Sequence, residues 1–83
     1  MHYFVYILKS LKDFKLYIGQ TNNLDERINR HNSGKVTATK YRRPFELIHS
    51  ETFGSRSETM KREKYLKSLK SSEYILKNII KNN

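Results

Sequence analysis

The chain has 83 residues, of which 17 are Lys or Arg and 8 are Asp or Glu, for a net charge of +9. That length supports one small core, so a single domain over residues 1–83 is expected, and so large a positive surplus concentrates anions, with nucleic acid ahead of anionic membrane as the partner class. The absence of cysteine excludes disulfides, thiolate nucleophiles and cysteine-based zinc sites, and fits a cytoplasmic protein.

In chain order, Tyr3–Ser10 reads as a strand because Phe4-Val5-Tyr6-Ile7-Leu8 is β-branched and aromatic. It lacks the basic start and small-residue cleavage site of a signal peptide. Lys15–Thr21 reads as a second strand, and the short link Ser10–Phe14 predicts an antiparallel hairpin whose turn has no glycine. Alternation places Phe4, Tyr6 and Leu8 on one face, with Tyr17 and Gly19 sharing a face of the second strand. Asn23 with Glu26 three residues on predicts a capped helix start. Leu24, Ile28 and His31 then share one helix face, Arg27 flanks His31, and Gly34 terminates the helix.

Residues 35–44 have no period, and Pro44 disfavours a long helix, so a basic loop is expected. Phe45–Phe53 alternates well enough for a third strand, ended by Gly54. Ser55 with Glu58 predicts the cap of a helix carrying Met60, Tyr65, Leu66 and Leu69. Ser71 or Ser72 caps a last helix with Ile75, Leu76, Ile79 and Ile80 on one face. The expected fold is therefore α/β in the α+β sense: a three-stranded antiparallel sheet flanked by three helices, in the order β-β-α-β-α-α. No apolar run approaches the ~20 residues of a membrane span, and the apolar face of the last helix is needed for the core, so no membrane association is expected.

Three features suggest chemistry, and each also has an ordinary reading. Tyr6 and Tyr17 can lie together across the hairpin, or simply pack. Arg27 and His31, one helical turn apart, can bind phosphate and move a proton, or form a solvated face with a half-buried histidine. Glu63 lies at the border of an apolar face, three residues from both Met60 and Leu66. It can be a single carboxylate ligand for Mg²⁺, or pair with Lys67 four residues on. No hydrolase triad, zinc-ligand spacing or glycine-rich phosphate loop is present.

Phe4-Val5-Tyr6 and Tyr17-Ile18-Gly19 resemble the two halves of the GIY-YIG nuclease signature, the first half degenerate and the second intact. Leu24-x-x-Arg27-x-x-x-His31 resembles the helix motif of that family. Ser57–Lys67 resembles the late helix that bears its metal-binding glutamate, and Tyr41–Leu47 resembles the small stand-alone bacterial members. The resemblance spans nearly the whole chain, with four motifs in family order.

The resemblance implies a metal-dependent endonuclease that hydrolyses DNA phosphodiesters, in repair or recombination. Tyr6, Tyr17, Arg27, His31 and Glu63 are its implied catalytic residues. Glu63 is also the implied ligand of one Mg²⁺ or Mn²⁺ ion, with Glu58 as the alternative position. Tyr6 would act as general base, provided that a nearby cation lowers its pKa from about 10. Lys35, Lys40, Arg42 and Arg43 are expected to follow the nucleic-acid backbone. So short a chain leaves little surface for sequence readout. Weak activity, structure-selective cleavage and a protein partner that supplies specificity therefore stand side by side. The competing functional classes are a non-catalytic nucleic-acid-binding module of the same fold and an adaptor for acidic proteins.

Overall fold

The computed structural model describes residues 2–80, so residue 1 and residues 81–83 of the expected domain lie outside it. The elements are β1 (Tyr3–Ser10), β2 (Leu16–Thr21), α1 (Leu24–Asn32), β3 (Phe45–Phe53), α2 (Arg56–Ser68) and α3 (Ser72–Tyr74). Their order is the expected β-β-α-β-α-α. The sheet runs β2-β1-β3, antiparallel throughout, which makes β1 the central strand. Val5, Tyr6, Ile7 and Leu8 are all fully buried because both faces of that strand are covered.

Alternation along β1 feeds two cores. Val5 and Ile7 pack with Leu66 of α2 and with Ile75 and Ile80 beyond it. Tyr6 and Leu8 face the other way, against Phe45 and against Leu24 and Ile28 of α1. The sheet is thus a partition with α1 on one side and α2 and α3 on the other. No helix among the described residues is long and apolar enough to cross a membrane.

The hairpin closes without glycine because Phe14 takes the left-handed conformation, φ 61°. The Ser10 hydroxyl organises the turn: it accepts from the backbone N–H groups of Lys12 and Asp13 and donates to the Arg42 carbonyl at 2.6 Å. All three sequence-read caps form, the last with the Ser71 hydroxyl accepting from the Tyr74 N–H. The Asn23 side chain accepts from the Glu26 N–H, and the Ser55 hydroxyl accepts from the Glu58 N–H. Asn32 pins the end of α1 to β3 by pairing with both backbone groups of Phe45.

Three local expectations change. Met60 and Tyr65 are exposed; the inward face of α2 runs Thr59, Arg62, Glu63, Leu66 and Leu69. The polar residues on that face were hidden from a hydrophobic count because they have partners, Arg62 pairing through two nitrogens with Glu51 of β3 at 2.7 and 3.0 Å. Leu76 is also exposed. The chain after α3 widens to π winding over Ile75–Ile79, with the Ile80 N–H bonded to the Ile75 carbonyl. Ile80 is buried with Ile75, and Ile79 packs part-buried against the same core, so of the expected face Leu76 turns outward. Finally, the 35–44 segment contains a short 3₁₀ turn at Lys40–Arg42.

Candidate nuclease site

Tyr6 is paired with Gly19 across the hairpin, and Leu8 with Tyr17. The Tyr6 ring extends over β2 through the space that a side chain at position 19 would fill. A Cβ there would lie 2.5 Å from Tyr6 Cζ and closer still to its hydroxyl. Tyr17 packs beside it, ring centroids 6.4 Å apart, and His31 from α1 sits against both rings at 5.8 and 4.9 Å.

These groups form a hydrogen-bonded chain with a direction. Arg27 Nε donates to Tyr6 Oη at 3.3 Å, and a guanidinium can only donate. The phenol is fully buried, so its own proton goes to its remaining partner, His31 Nε2, at 2.9 Å. Neutral His31 then carries its proton on Nδ1 and donates to Thr39 Oγ1 at 2.8 Å. The Thr39 hydroxyl in turn donates to the Val36 carbonyl at 3.4 Å.

The electrostatics follow from burial. Desolvation raises the Tyr6 pKa, and the Arg27 hydrogen bond and charge oppose that rise without overcoming it. The lowered phenol pKa expected of a general base is therefore absent from the free protein. In return, the hydrogen bond to Tyr6 strengthens the hold of Arg27 on its proton. Burial, aided by the Arg27 charge, lowers the His31 pKa to about 4.

A stability consequence follows. The unfolded chain protonates histidine near pH 6.5, whereas the fold holds His31 neutral down to about 4. The unfolded state therefore binds more protons between those values, and acid favours it. The His31 contribution should be constant above pH 6.5 and should fall by about 3 kcal/mol as pH drops to 4, at ~1.4 kcal/mol per pKa unit. Urea titrations at a series of pH values test this, and His31→Gln should flatten the slope.

Glu63 comes from the other side of the sheet. Its side chain is 19% exposed; it accepts from Gln20 Nε2 at 3.1 Å and lies 3.6 Å from Lys67 Nζ. Gln20 follows Gly19 on β2, so the outer strand joins the two halves of the site. The Glu63 charge reaches Tyr6, adding to the rise in its pKa. A cavity of about 280 Å³ along β2 touches both Tyr17 and Lys67. Glu58, the alternative carboxylate, is engaged in the α2 cap, accepting from the Ser55 hydroxyl at 3.0 Å.

No group of three or more acidic, histidine or cysteine side chains suited to a metal is present among the described residues. Glu63 alone fits a hard, water-rich cation such as Mg²⁺, which needs only one or two carboxylates.

The four basic residues of the 35–44 segment do not act alike. Lys35 and Lys40 are exposed. Arg42 is held in place, with Nε 2.9 Å from Asp13 and the guanidinium over the Phe45 ring, and this pairing lowers the Asp13 pKa to about 2. The Arg43 guanidinium lies against Gly34. Two site residues escaped the sequence reading. Thr39 has no periodic signal in its loop. Gln20 was legible only once the register had put it on the face toward α2.

The GIY-YIG catalytic domain model matches residues 2–78. The chain is 48% identical over 67 residues to UPF0213 protein SH2523 of Staphylococcus haemolyticus, covering 80% of each chain. It is 45% identical over 69 residues to UPF0213 protein YazA of Bacillus subtilis, covering 82% of this chain and 69% of that one. The solution NMR structure of UPF0213 protein BH0048 from Bacillus halodurans aligns over the full length of both chains, with 34% identity and a TM-score of 0.46. With Tyr6 of β1 packed beside Tyr17 of β2 and the arginine next to them on α1, the chain belongs to the GIY-YIG family, a family of nuclease-type domains.

Proposed function

We propose that this protein is a metal-dependent endonuclease that hydrolyses DNA phosphodiester bonds. The observation that carries this reading is the Arg27–Tyr6–His31 chain of hydrogen bonds beside Tyr17. A guanidinium, a phenol and a neutral imidazole in line form an anion site coupled to a proton acceptor. The excess of basic residues supports attraction of the polyanion, and repair or recombination is the proposed setting.

In this reading a scissile phosphate draws Arg27 off the Tyr6 hydroxyl, because a phosphate oxygen is a stronger acceptor than a phenol. Arg27 then stabilises charge as it builds on the phosphoryl oxygens. The uncovered Tyr6 hydroxyl meets the attacking water, and Tyr17 helps to orient it. Tyr6 takes a proton from water as it passes its own to His31 Nε2, so no free phenolate is needed, and neutralising Arg27 with the phosphate removes one of the two influences that hold His31 neutral in the free protein. Thr39 holds the opposite side of the resulting imidazolium. Glu63 would hold one Mg²⁺ or Mn²⁺, which when bound supplies Lewis-acid stabilisation of the phosphate and the leaving oxygen.

The test is nicking of supercoiled, branched and flapped DNA by the purified chain with Mg²⁺ or Mn²⁺. Cleavage that stops on adding EDTA is the expected result. Salt-sensitive binding with no cleavage of any substrate would overturn the reading in favour of a non-catalytic binding module.

A further inference from the structure

The tip of the β1–β2 hairpin carries residues that the nuclease reading does not use. Phe14 is 66% exposed, although it is a bulky residue held in the left-handed region at φ 61°. That conformation favours glycine or asparagine, and for a large side chain it is a true outlier. The ring belongs to neither hydrophobic core and has the Lys9 ammonium 5.5 Å from its centroid. A strained turn that displays an aromatic ring to water is poorly explained by stability alone.

A second ring lies on the adjoining segment. Tyr41 is 76% exposed, with the Lys40 ammonium 5.4 Å from its centroid. The two segments are stitched together. Lys12 Nζ donates to the Tyr41 carbonyl at 3.0 Å, Arg42 pairs with Asp13 at 2.9 Å, and the Leu11 N–H donates to the Pro44 carbonyl at 2.8 Å. Phe14 and Tyr41 therefore stand on one braced end of the molecule, not on two independent loops.

The charge of this end is one-sided. Residues 9–15 and 35–44 hold seven basic side chains and one acid. That acid, Asp13, is already neutralised by Arg42. Exposed aromatic rings interleaved with lysines match the needs of unpaired nucleotides. Bases stack on the rings whatever their sequence, while ammonium groups take the phosphates. A paired duplex offers the phosphates but keeps its bases stacked on one another. An acidic peptide would satisfy the lysines but leave both rings in water. The surface also adjoins the catalytic residues, since Thr39, the partner of His31, immediately precedes Lys40.

We propose that Phe14 and Tyr41 form a stacking platform for unpaired nucleotides, with Lys9, Lys12, Lys15 and Lys40 holding their phosphates. The platform directs the protein to nucleic acid that has a single-stranded segment beside the scissile bond. This rests on the reading of the protein as a DNA-cutting enzyme and deepens it by naming the substrate class.

The chain contains no tryptophan, so Phe14→Trp and Tyr41→Trp each give one fluorescent reporter without background. Oligothymidylate should quench both reporters, and a blunt duplex of equal length should leave them unchanged. Tyr41→Ala should weaken oligothymidylate binding about 5- to 100-fold, as expected for the loss of one stacked base, while duplex affinity stays within about twofold on that account. Phe14→Asn separates binding from folding: asparagine suits the turn better, so the melting temperature should rise while single-strand binding falls.

Unchanged oligothymidylate affinity in the Phe14→Asn, Tyr41→Ala double variant would overturn the proposal, as would equal quenching by polyglutamate. Duplex cleavage that persists without single-strand preference would also remove it, but leave the nuclease reading standing. Reporter quenching with no cleavage of any DNA would do the reverse.

Discussion

Replacing Arg27 with alanine is expected to lower the cleavage rate about 10²- to 10³-fold, the usual cost of losing a donor to the transition-state charge. The guanidinium is also the group that covers Tyr6 and opposes the rise in its pKa. The variant therefore loses phosphate stabilisation and leaves the phenol a weaker acid. Its melting temperature should change little, because Tyr6 keeps His31 and its packing. Arg27→Lys restores charge but not the forked geometry, so recovery should be partial. The decisive comparison is with Glu63→Gln. That change retains the bond from Gln20 in outline but removes the charge for the cation, so its defect should deepen as Mg²⁺ is lowered, whereas the Arg27→Ala defect should not. Cleavage rates measured across a Mg²⁺ series distinguish the two. An undiminished rate in both variants would show that the cleavage arises elsewhere.

Gly19→Ala should be the most damaging single methyl group that can be added to this sheet. The new Cβ would lie 2.5 Å from Tyr6 Cζ and 3.0 Å from Cε2. The ring cannot move aside, being fully buried among Leu8, Phe45, Tyr17 and α1. Overpacking of this kind costs about 1–3 kcal/mol, and here it also pushes the phenol out of line with Arg27 and His31. Gly54→Ala is the matched control, because a Cβ at that position meets nothing within 4 Å. Urea denaturation should separate the variants clearly, with Gly54→Ala close to wild type and Gly19→Ala well below it. Equal stability of the two would mean that the tyrosine does not occupy the space above Gly19.

That glycine also shows which parts of the protein are legible in its sequence. Strand alternation and cap residues gave the element order, because they are local rules: Val5 and Tyr6 divide between two cores as period two demands, and Asn23 and Ser55 start their helices as read. Hairpin and helical spacing offered Tyr6 with Tyr17, and Arg27 with His31, only as two separate pairs that could equally be packing or a solvated face; that the pairs meet was implied by the family resemblance and not by any local rule. Other partnerships across the fold were not legible. Nothing local marks Thr39 as the residue that holds His31, or Arg42 as a brace that ties its segment to the hairpin through Asp13. Burial had to be known before the direction of the Tyr6 pKa could be known, since desolvation and Arg27 pull it in opposite senses. Met60 misled for a related reason. Hydrophobicity placed it inward, but the inward positions of α2 went to Arg62 and Glu63, whose charges are matched by Glu51 and by Gln20 with Lys67.

The central position of β1 has a kinetic consequence. Its amides bond to strands on both sides and are roofed by helices on both faces, so they should exchange with deuterium only when the whole domain opens. Tyr6 belongs to that slowest set. Thr39 lies between the irregular stretch after α1 and a single 3₁₀ turn, where the backbone bonds are few and short in range, and it should exchange orders of magnitude sooner. One chain of hydrogen bonds therefore connects the most protected strand of the protein to one of its least protected turns. A nucleic acid that settles on that turn should slow the exchange of the turn first, leaving β1 as it was.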